Sequence, residues 1–273
     1  MIAILSDFGL RDYYVGALKG VIQMINPAAS VIDISHSVSK WNVEEGAFLL
    51  LQSTNWFPDH TIFVAVVDPG VGSERDIIAI KTRNHFLVGP DNGILIPAAK
   101  KGGIEEVVTI RNPKYTLERA GTFDGRDVMA PVAAHLSRGV RLSELGPEAQ
   151  HFVDLEFEIP TFRRDEVQAK VLHIDDFGNA ITNMGIESFR RWRGRVKTFS
   201  IGIEGQSATL TYCKYYEEMG RQPSLMDGSS GYVEISLLRG NAASELKLKT
   251  GHAVIIESWT PTGQSPPRNR GRS

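Results

Sequence analysis

The sequence predicts an α/β fold, with an N-terminal α/β sandwich-type sheet domain followed by a smaller C-terminal antiparallel β-barrel-like domain. Three observations lead there. Up to about residue 160, short apolar runs alternate with helix-period segments, the pattern of a sheet covered on both faces. From residue 165 onward, strand-like runs follow one another with little helical material. Between them, residues 160–165 interrupt both patterns and mark a boundary. The expected organisation is an α/β domain over 1–160, a β domain over 165–260, and a Pro/Arg/Gly-rich disordered tail over 261–273.

In chain order, residues 1–6 are an apolar run that stops at Asp7, Phe8 and Gly9. A helical pattern over 13–24 ends before Pro27, and residues 31–34 are strand-like. Asn42 has the chemistry of a helix N-cap, with Glu45 three residues on and an apolar face at Phe48, Leu50 and Leu51. Residues 62–67 form a continuous buried-type strand closed by Asp68-Pro69-Gly70. Residues 77–81 and 85–88 pair as a hairpin, and Pro90-Asp91-Asn92-Gly93 is a turn. Asp127 is expected to cap a helix running to Leu136, with Pro131 near its first turn. The second half carries strands at 167–174, 196–203, 208–212, 232–237 and 253–256, and one helix near 186–192.

Composition narrows the function classes. A net charge of -2 leaves no basic footprint for nucleic acid. No run approaches the roughly 20 apolar residues of a membrane helix, and residues 1–6 are too short for a signal segment. Cys213, the single cysteine, cannot form an internal disulfide and fits a reducing compartment, so a soluble cytoplasmic protein is expected. It lies in a strand-like segment, as a core residue does. The seven histidines show no metal-ligand spacing, and neither a P-loop nor a Gly-x-Ser-x-Gly elbow is present.

What remains is a set of acidic, Gly-containing loops at presumed strand ends: Ser6-Asp7-Phe8-Gly9, Asp33-Ile34-Ser35-His36, Asp68-Pro69-Gly70-Val71-Gly72 and Pro90-Asp91-Asn92-Gly93. Ligands of open α/β sheets collect at the carboxyl ends of strands. One such loop is ordinary turn chemistry; four at one edge suggest a site.

Ser6-Asp7-Phe8-Gly9, Ile34-Ser35-His36-Ser37-Val38, Val67-Asp68-Pro69-Gly70-Val71-Gly72-Ser73-Glu74-Arg75 and Pro90-Asp91-Asn92-Gly93, together with Thr122-Phe123-Asp124-Gly125-Arg126-Asp127, Ile174-Asp175-Asp176-Phe177-Gly178-Asn179, Gly228-Ser229, Gly231-Tyr232-Val233-Glu234-Ile235 and Asn241-Ala242-Ala243, resemble the SAM hydroxide adenosyltransferases. These are the SAM hydrolases related to fluorinase and chlorinase. The resemblance runs in order from Ala3 to about Ile256. It implies hydrolysis of S-adenosylmethionine to adenosine and methionine, with no cofactor or metal, by a homotrimer whose sites lie between neighbouring subunits. It also implies Asp68 as the residue that handles water, with Arg75 holding it. Asp7 would take the ribose hydroxyls, a carboxylate suiting paired donors. Asp12 and Asp175 would take the methionine ammonium and Ser229 its carboxylate. Asn179 would take an adenine edge with the backbone at Ala242. Tyr215 would stack on adenine or, alternatively, belong to the barrel core. His36 and His135 are expected to be structural.

Two positions separate this chain from its relatives. The halogenating enzymes carry tyrosine and threonine at the positions of Asp68 and Val71, and a carboxylate there repels halide. The hydrolases usually carry histidine where this chain has Asp124. Either Asp124 takes over a hydrogen bond to water, or it marks a slowed or altered copy, or it is a turn residue. Two adjacent carboxylates repel unless Arg75 and Arg126 offset them. The resulting expectation is a SAM hydrolase, with a non-catalytic SAM or adenosine binder and a halogenase as the alternatives.

Overall fold

A computed structural model of the chain describes residues 1–118, 121–203 and 205–258; the expected tail at 261–273 lies outside the described residues. The chain divides into two compact units, Met1–Phe157 and a second from Glu158 onward.

The first unit is a six-stranded sheet flanked by helices. In chain order it contains β1 (Ile2–Ser6), α1 (Tyr14–Ile25), β2 (Val31–Ser35), α2 (Val43–Ser53), β3 (Ile62–Val66), β4 (Ile77–Thr82), β5 (Phe86–Pro90), α3 (Ile96–Gly102), β6 (Ile104–Thr109) and α4 (Ala130–Leu136). The strand order is β2-β1-β3-β5-β4-β6. Strands β2, β1, β3 and β5 run parallel, and β4 is antiparallel to both its neighbours.

The central strands β1 and β3 are apolar at every position but Ser6 because both faces are covered. Ile2, Ile4, Ile62, Val64 and Val66 pack with Leu18 and Ile22 of α1 and Val132 of α4. Their alternates Ala3, Leu5, Phe63, Ala65 and Val67 pack with Ala47, Leu50 and Leu51 of α2 and Ala98 of α3. Period-2 alternation thus feeds two cores at once, which is why no polar face interrupts these strands.

Local chemistry sets the helix ends. The Asn42 side chain accepts the Glu45 N–H at 3.1 Å and starts α2. Glu45 reaches back to the Ser39 N–H at 2.9 Å, not to the Asn42 N–H that a reciprocal capping box would use. Asp127 does not cap α4 as expected. It sits inside a π-helical turn, Gly125–Met129, that runs directly into α4. The cause is Pro131, which has no N–H for the Asp127 carbonyl four residues earlier. That carbonyl accepts the Leu117 N–H at 2.7 Å instead.

The second unit holds β7 (Thr161–Phe162), β8 (Glu166–Ile174), β9 (Ala180–Gly185), α5 (Ile186–Arg193), β10 (Thr198–Ile203), β11 (Gln206–Tyr212), β12 (Ser224–Asp227), β13 (Tyr232–Ser236), α6 (Ala242–Leu246) and β14 (Ala253–Ser258). The order β14-β10-β11-β12-β13-β9-β8 closes through a β14–β8 pairing into a seven-stranded barrel, with β7 added beside β8. One pairing departs from the antiparallel expectation: β11 and β12 are parallel. Residues 213–223 carry the chain back before β12 begins, so a hairpin is impossible there. Phe189, Phe199, Leu225, Val233 and Ile256 fill the barrel core.

Candidate active site

The order of strands in the first unit creates a crevice. From β1 the chain moves to β2 on one side, then crosses to β3 on the other. The carboxyl ends of β1 and β3 therefore flank a topological switch point, where loops diverge and leave room for a ligand. Asp7 directly follows β1, and Asp68 lies two residues past β3. Both line one cavity of about 590 Å³, which also takes in Asp12, Asp124, Phe8, Tyr14, Trp41 and Phe123. That volume is in the range of small-molecule pockets, roughly 300–1,000 Å³.

Asp68 and Asp124 are both buried, and one guanidinium joins them. Arg75 Nε donates to Asp68 Oδ1 at 2.8 Å, its Nη2 donates to Asp68 Oδ2, and the same Nη2 donates to Asp124 Oδ2 at 2.7 Å. The fork fixes the Asp68 carboxylate plane, as paired guanidinium–carboxylate bonds do. Burial works against the charged guanidinium, but Asp68 first and Asp124 second outweigh it and raise the pKa of Arg75. Arg126, expected to help offset the two carboxylates, instead grips Asp127 through bonds of 2.6 and 2.9 Å.

Asp7 is held from the loop after β2. Asp7 Oδ2 accepts the Trp41 N–H at 3.0 Å, and Lys40 Nζ donates to the Asp7 carbonyl. Among the described residues, no protein group bonds Asp7 Oδ1. Trp41 sits in the left-handed region at φ 67°, uncommon for a bulky residue, and the residue is 63% exposed where it lines the cavity. Phe8, Tyr14 and Phe123 form a mutually packed aromatic wall, with centroids 5.3–5.7 Å apart. Asp12 is exposed at the rim.

The remaining expected site residues lie in the second unit. Asp175 and Asn179 close a tight turn: Asp175 Oδ1 accepts the N–H groups of Phe177 (3.0 Å) and Asn179 (2.9 Å), while Oδ2 accepts Asn179 Nδ2 at 2.9 Å. Gly178 has φ 83°, and a Cβ there would meet Asn241 at 2.1 Å, so only glycine lets this turn touch the start of α6. The Gly178 carbonyl accepts the Ala243 N–H at 2.9 Å, which brings Ala242 beside Asn179. Ala242 is the first residue of α6, where an N–H has no intrahelical partner.

Asn179 lines a second cavity of about 540 Å³ with Phe177, Tyr216, Leu237, Arg239 and Gly240. Tyr215 and Ser229 do not line it. Ser229 is exposed in the turn between β12 and β13. Tyr215 is 56% exposed, which removes the barrel-core alternative. Its neighbour Tyr216 donates to buried Glu234 at 3.1 Å, and burial pushes the Glu234 carboxyl above its ordinary pKa.

His36 and His135 behave as structural residues. His36 bonds Ser6, and His135 packs edge-on to Tyr115 with centroids 5.1 Å apart. Sequence reasoning missed Lys40, Trp41 and Tyr216. Lys40 and Trp41 stand directly before the Asn42 cap, in the gap between a strand-end motif and a helix start, and that placement was the available signal.

The model of the SAM hydroxide adenosyltransferase N-terminal domain matches residues 2–146, and that of the C-terminal domain matches residues 169–255. The chain belongs to this family. The (R)-S-adenosyl-L-methionine hydrolase of Salinispora arenicola is 41% identical over 263 residues, covering 93% of this chain and 97% of its own. A fluorinase from an Actinoplanes species is more distant, at 27% identity over 94% of this chain and 97% of its own. Among solved structures, an uncharacterized conserved protein from Thermotoga maritima superposes with a TM-score of 0.88 at 33% identity, covering 94% of this chain and 99% of that one. In this SAM hydroxide adenosyltransferase, Asp7, Asp12, Asp68 and Asp124 therefore share one cavity, while Asp175, Asn179 and Ala242 share one turn–helix junction.

Proposed function

We propose that this enzyme hydrolyses S-adenosyl-L-methionine to adenosine and L-methionine by in-line attack of a positioned water at C5′. The observation that carries the reading is Asp68, a buried carboxylate lining the switch-point cavity and held through both oxygens by Arg75. The substrate is a sulfonium and its leaving group a neutral thioether. As the water oxygen bonds to C5′, the C5′–S electron pair passes to sulfur and one water proton is released. The step needs a water aligned opposite sulfur at about 3–3.5 Å and an acceptor for its proton. No Lewis acid is required, because no charge develops on the departing sulfur. Asp68 is the acceptor that orients the water; a positioned base contributes about 10²–10⁴-fold.

Asp7 takes the ribose hydroxyls, Asp12 and Asp175 the methionine ammonium, Ser229 its carboxylate, and Asn179 with the Ala242 backbone the adenine edge. Tyr215 is the proposed stacking residue. Asn179 already gives its amide N–H to Asp175, which leaves its oxygen to accept from the adenine amino group. The proposed assembly is a homotrimer with sites between neighbouring subunits, the arrangement that the family resemblance implies. No helix among the described residues is long and apolar enough to cross a membrane. With Cys213 buried and unpaired, a cytoplasmic setting is the fitting one.

Asp124 favours a second reading, a non-catalytic SAM or adenosine binder, because it occupies the position of the usual histidine. Chromatography of SAM incubated with pure protein separates the two. Equimolar adenosine and methionine rising with time support hydrolysis, and bound but unchanged SAM refutes it. A rate that depends on added chloride or fluoride would instead indicate a halogenase.

A further inference from the structure

The turn that carries Asp7 is fastened by a single histidine at two points. Ser6, fully buried at the end of β1, places its Oγ 2.7 Å from His36 Nδ1. The Ser6 Oγ also accepts the Phe8 N–H at 3.3 Å. The His36 carbonyl accepts the N–H of Gly9, which has φ 72°, at 2.6 Å. Ring and backbone of His36 thus hold both ends of the Asp7 turn. On its far side, His36 Nε2 lies 3.1 Å from Asp33 Oδ1 without completing a hydrogen bond, and Asp33 pairs with Lys19 of α1 at 2.6 Å.

Chemistry gives this chain a direction. A carboxylate only accepts, so the proton of neutral His36 belongs on Nε2, facing Asp33. Nδ1 is then the acceptor, and Ser6 must donate its hydroxyl proton to it. The Ser6 lone pairs are left for the Phe8 N–H. Serine, histidine and aspartate in contact suggest a nucleophilic triad, but Ser6 has no exposed surface for a substrate to reach. The arrangement holds position and does no bond-making.

We propose that His36, through Ser6, is a positioning residue for Asp7, aiming its unbonded oxygen at the ribose hydroxyls of the substrate. The inference rests on the ribose role given to Asp7 above. Hydrogen bonds to a charged group are strong but depend on geometry. A turn released at Ser6 leaves the carboxylate in place and loses its aim.

The test is calorimetric binding of adenosine and of 2′,3′-dideoxyadenosine to the full chain. Wild type should prefer adenosine by about 30-fold or more, as two hydroxyls on a carboxylate require. Ser6→Ala, which removes one oxygen, and His36→Leu should cut that preference to about threefold or less, with dideoxyadenosine bound as by wild type. His36→Asn keeps an acceptor near the Nδ1 position and should retain most of the preference. If His36→Leu does not fold, Ser6→Ala decides. Wild-type preference kept in Ser6→Ala and His36→Leu overturns the proposal alone. A wild type indifferent to the ribose hydroxyls overturns the ribose role of Asp7 and the proposal with it.

Discussion

Removing the charge of Arg75 should damage stability and turnover together, and the size of the effect follows from burial. The Arg75 side chain is 11% exposed, and those of Asp68 and Asp124 are 6% and 8%. Exposed pairs contribute about 0–1 kcal/mol because water screens them. Here screening is weak, and Arg75→Met takes away the guanidinium that holds two buried carboxylates together. Breaking a buried pair in this way costs about 3–5 kcal/mol. At about 2–4 °C per kcal/mol, the melting temperature should fall by about 6–20 °C. Adding Asp68→Asn and Asp124→Asn to Arg75→Met removes both carboxylate charges and should return most of that loss, since a neutral replacement of a buried ionic cluster is well tolerated. Activity should not return, because the proton acceptor is gone. Thermal melts of wild type and the two variants, with SAM turnover on the same samples, make the comparison. An Arg75→Met protein melting within about 2 °C of wild type would show that the cluster is no tighter than a surface pair.

Other outcomes follow from the same geometry. Asp124→His should raise kcat/KM by about tenfold near neutral pH, because an imidazole both donates and accepts where a carboxylate only accepts; a sharp loss, with Asp124→Ala inactive, would make the aspartate a working residue. Inactive Asp68→Asn and Asn179→Ala proteins, dissociated and reassembled together, should regain activity toward about a quarter to a third of wild type if sites join neighbouring subunits; mixed oligomers that stay inactive would confine each site to one chain. His85 and His135 are held below the ordinary histidine pKa, burial being the main cause in each. Below about pH 6.5 the unfolded chain therefore binds protons that the folded chain resists, so this contribution is intact above pH 6.5 and is lost as pH falls through the folded values. The melting temperature should drop between pH 7 and pH 5, and His85→Gln should flatten that slope; an unchanged slope would assign the drop to other groups.

Much of the fold was legible because the strands are continuous apolar or alternating runs bounded by strong punctuation. Residues 62–67 had no polar position to confuse them, and Asp68-Pro69-Gly70 ended them without ambiguity. Asn42 was legible as a cap because its side chain acts locally. Asp127 was misread because Pro131, four residues on, takes away its helical partner and makes a π-turn, a tertiary solution that relies on Leu117. The parallel β11–β12 pairing was hidden because direction depends on residues 213–223, which carry no periodic signal. Within the candidate site, acidic residues at strand ends stood out. Their fastening did not, since the Arg75–Asp124 bond spans 49 positions and the Trp41–Asp7 bond 34. Tyr216 gave no signal of its own, because adjacent residues in an irregular segment carry no pattern that says which one lines the cavity beside Asn179.

The central claim is that water, positioned by Asp68, attacks C5′ and not another carbon of the sulfonium. Turnover of SAM in H₂¹⁸O, with mass analysis of both products, tests it directly. The account predicts adenosine heavier by one ¹⁸O in place of ¹⁶O at its 5′ oxygen, unlabelled methionine in equal amount, and a rate about 10²-fold lower or more in Asp68→Asn with substrate binding little changed. Label in the amino-acid product, or an Asp68→Asn protein that turns over at the wild-type rate, would contradict it.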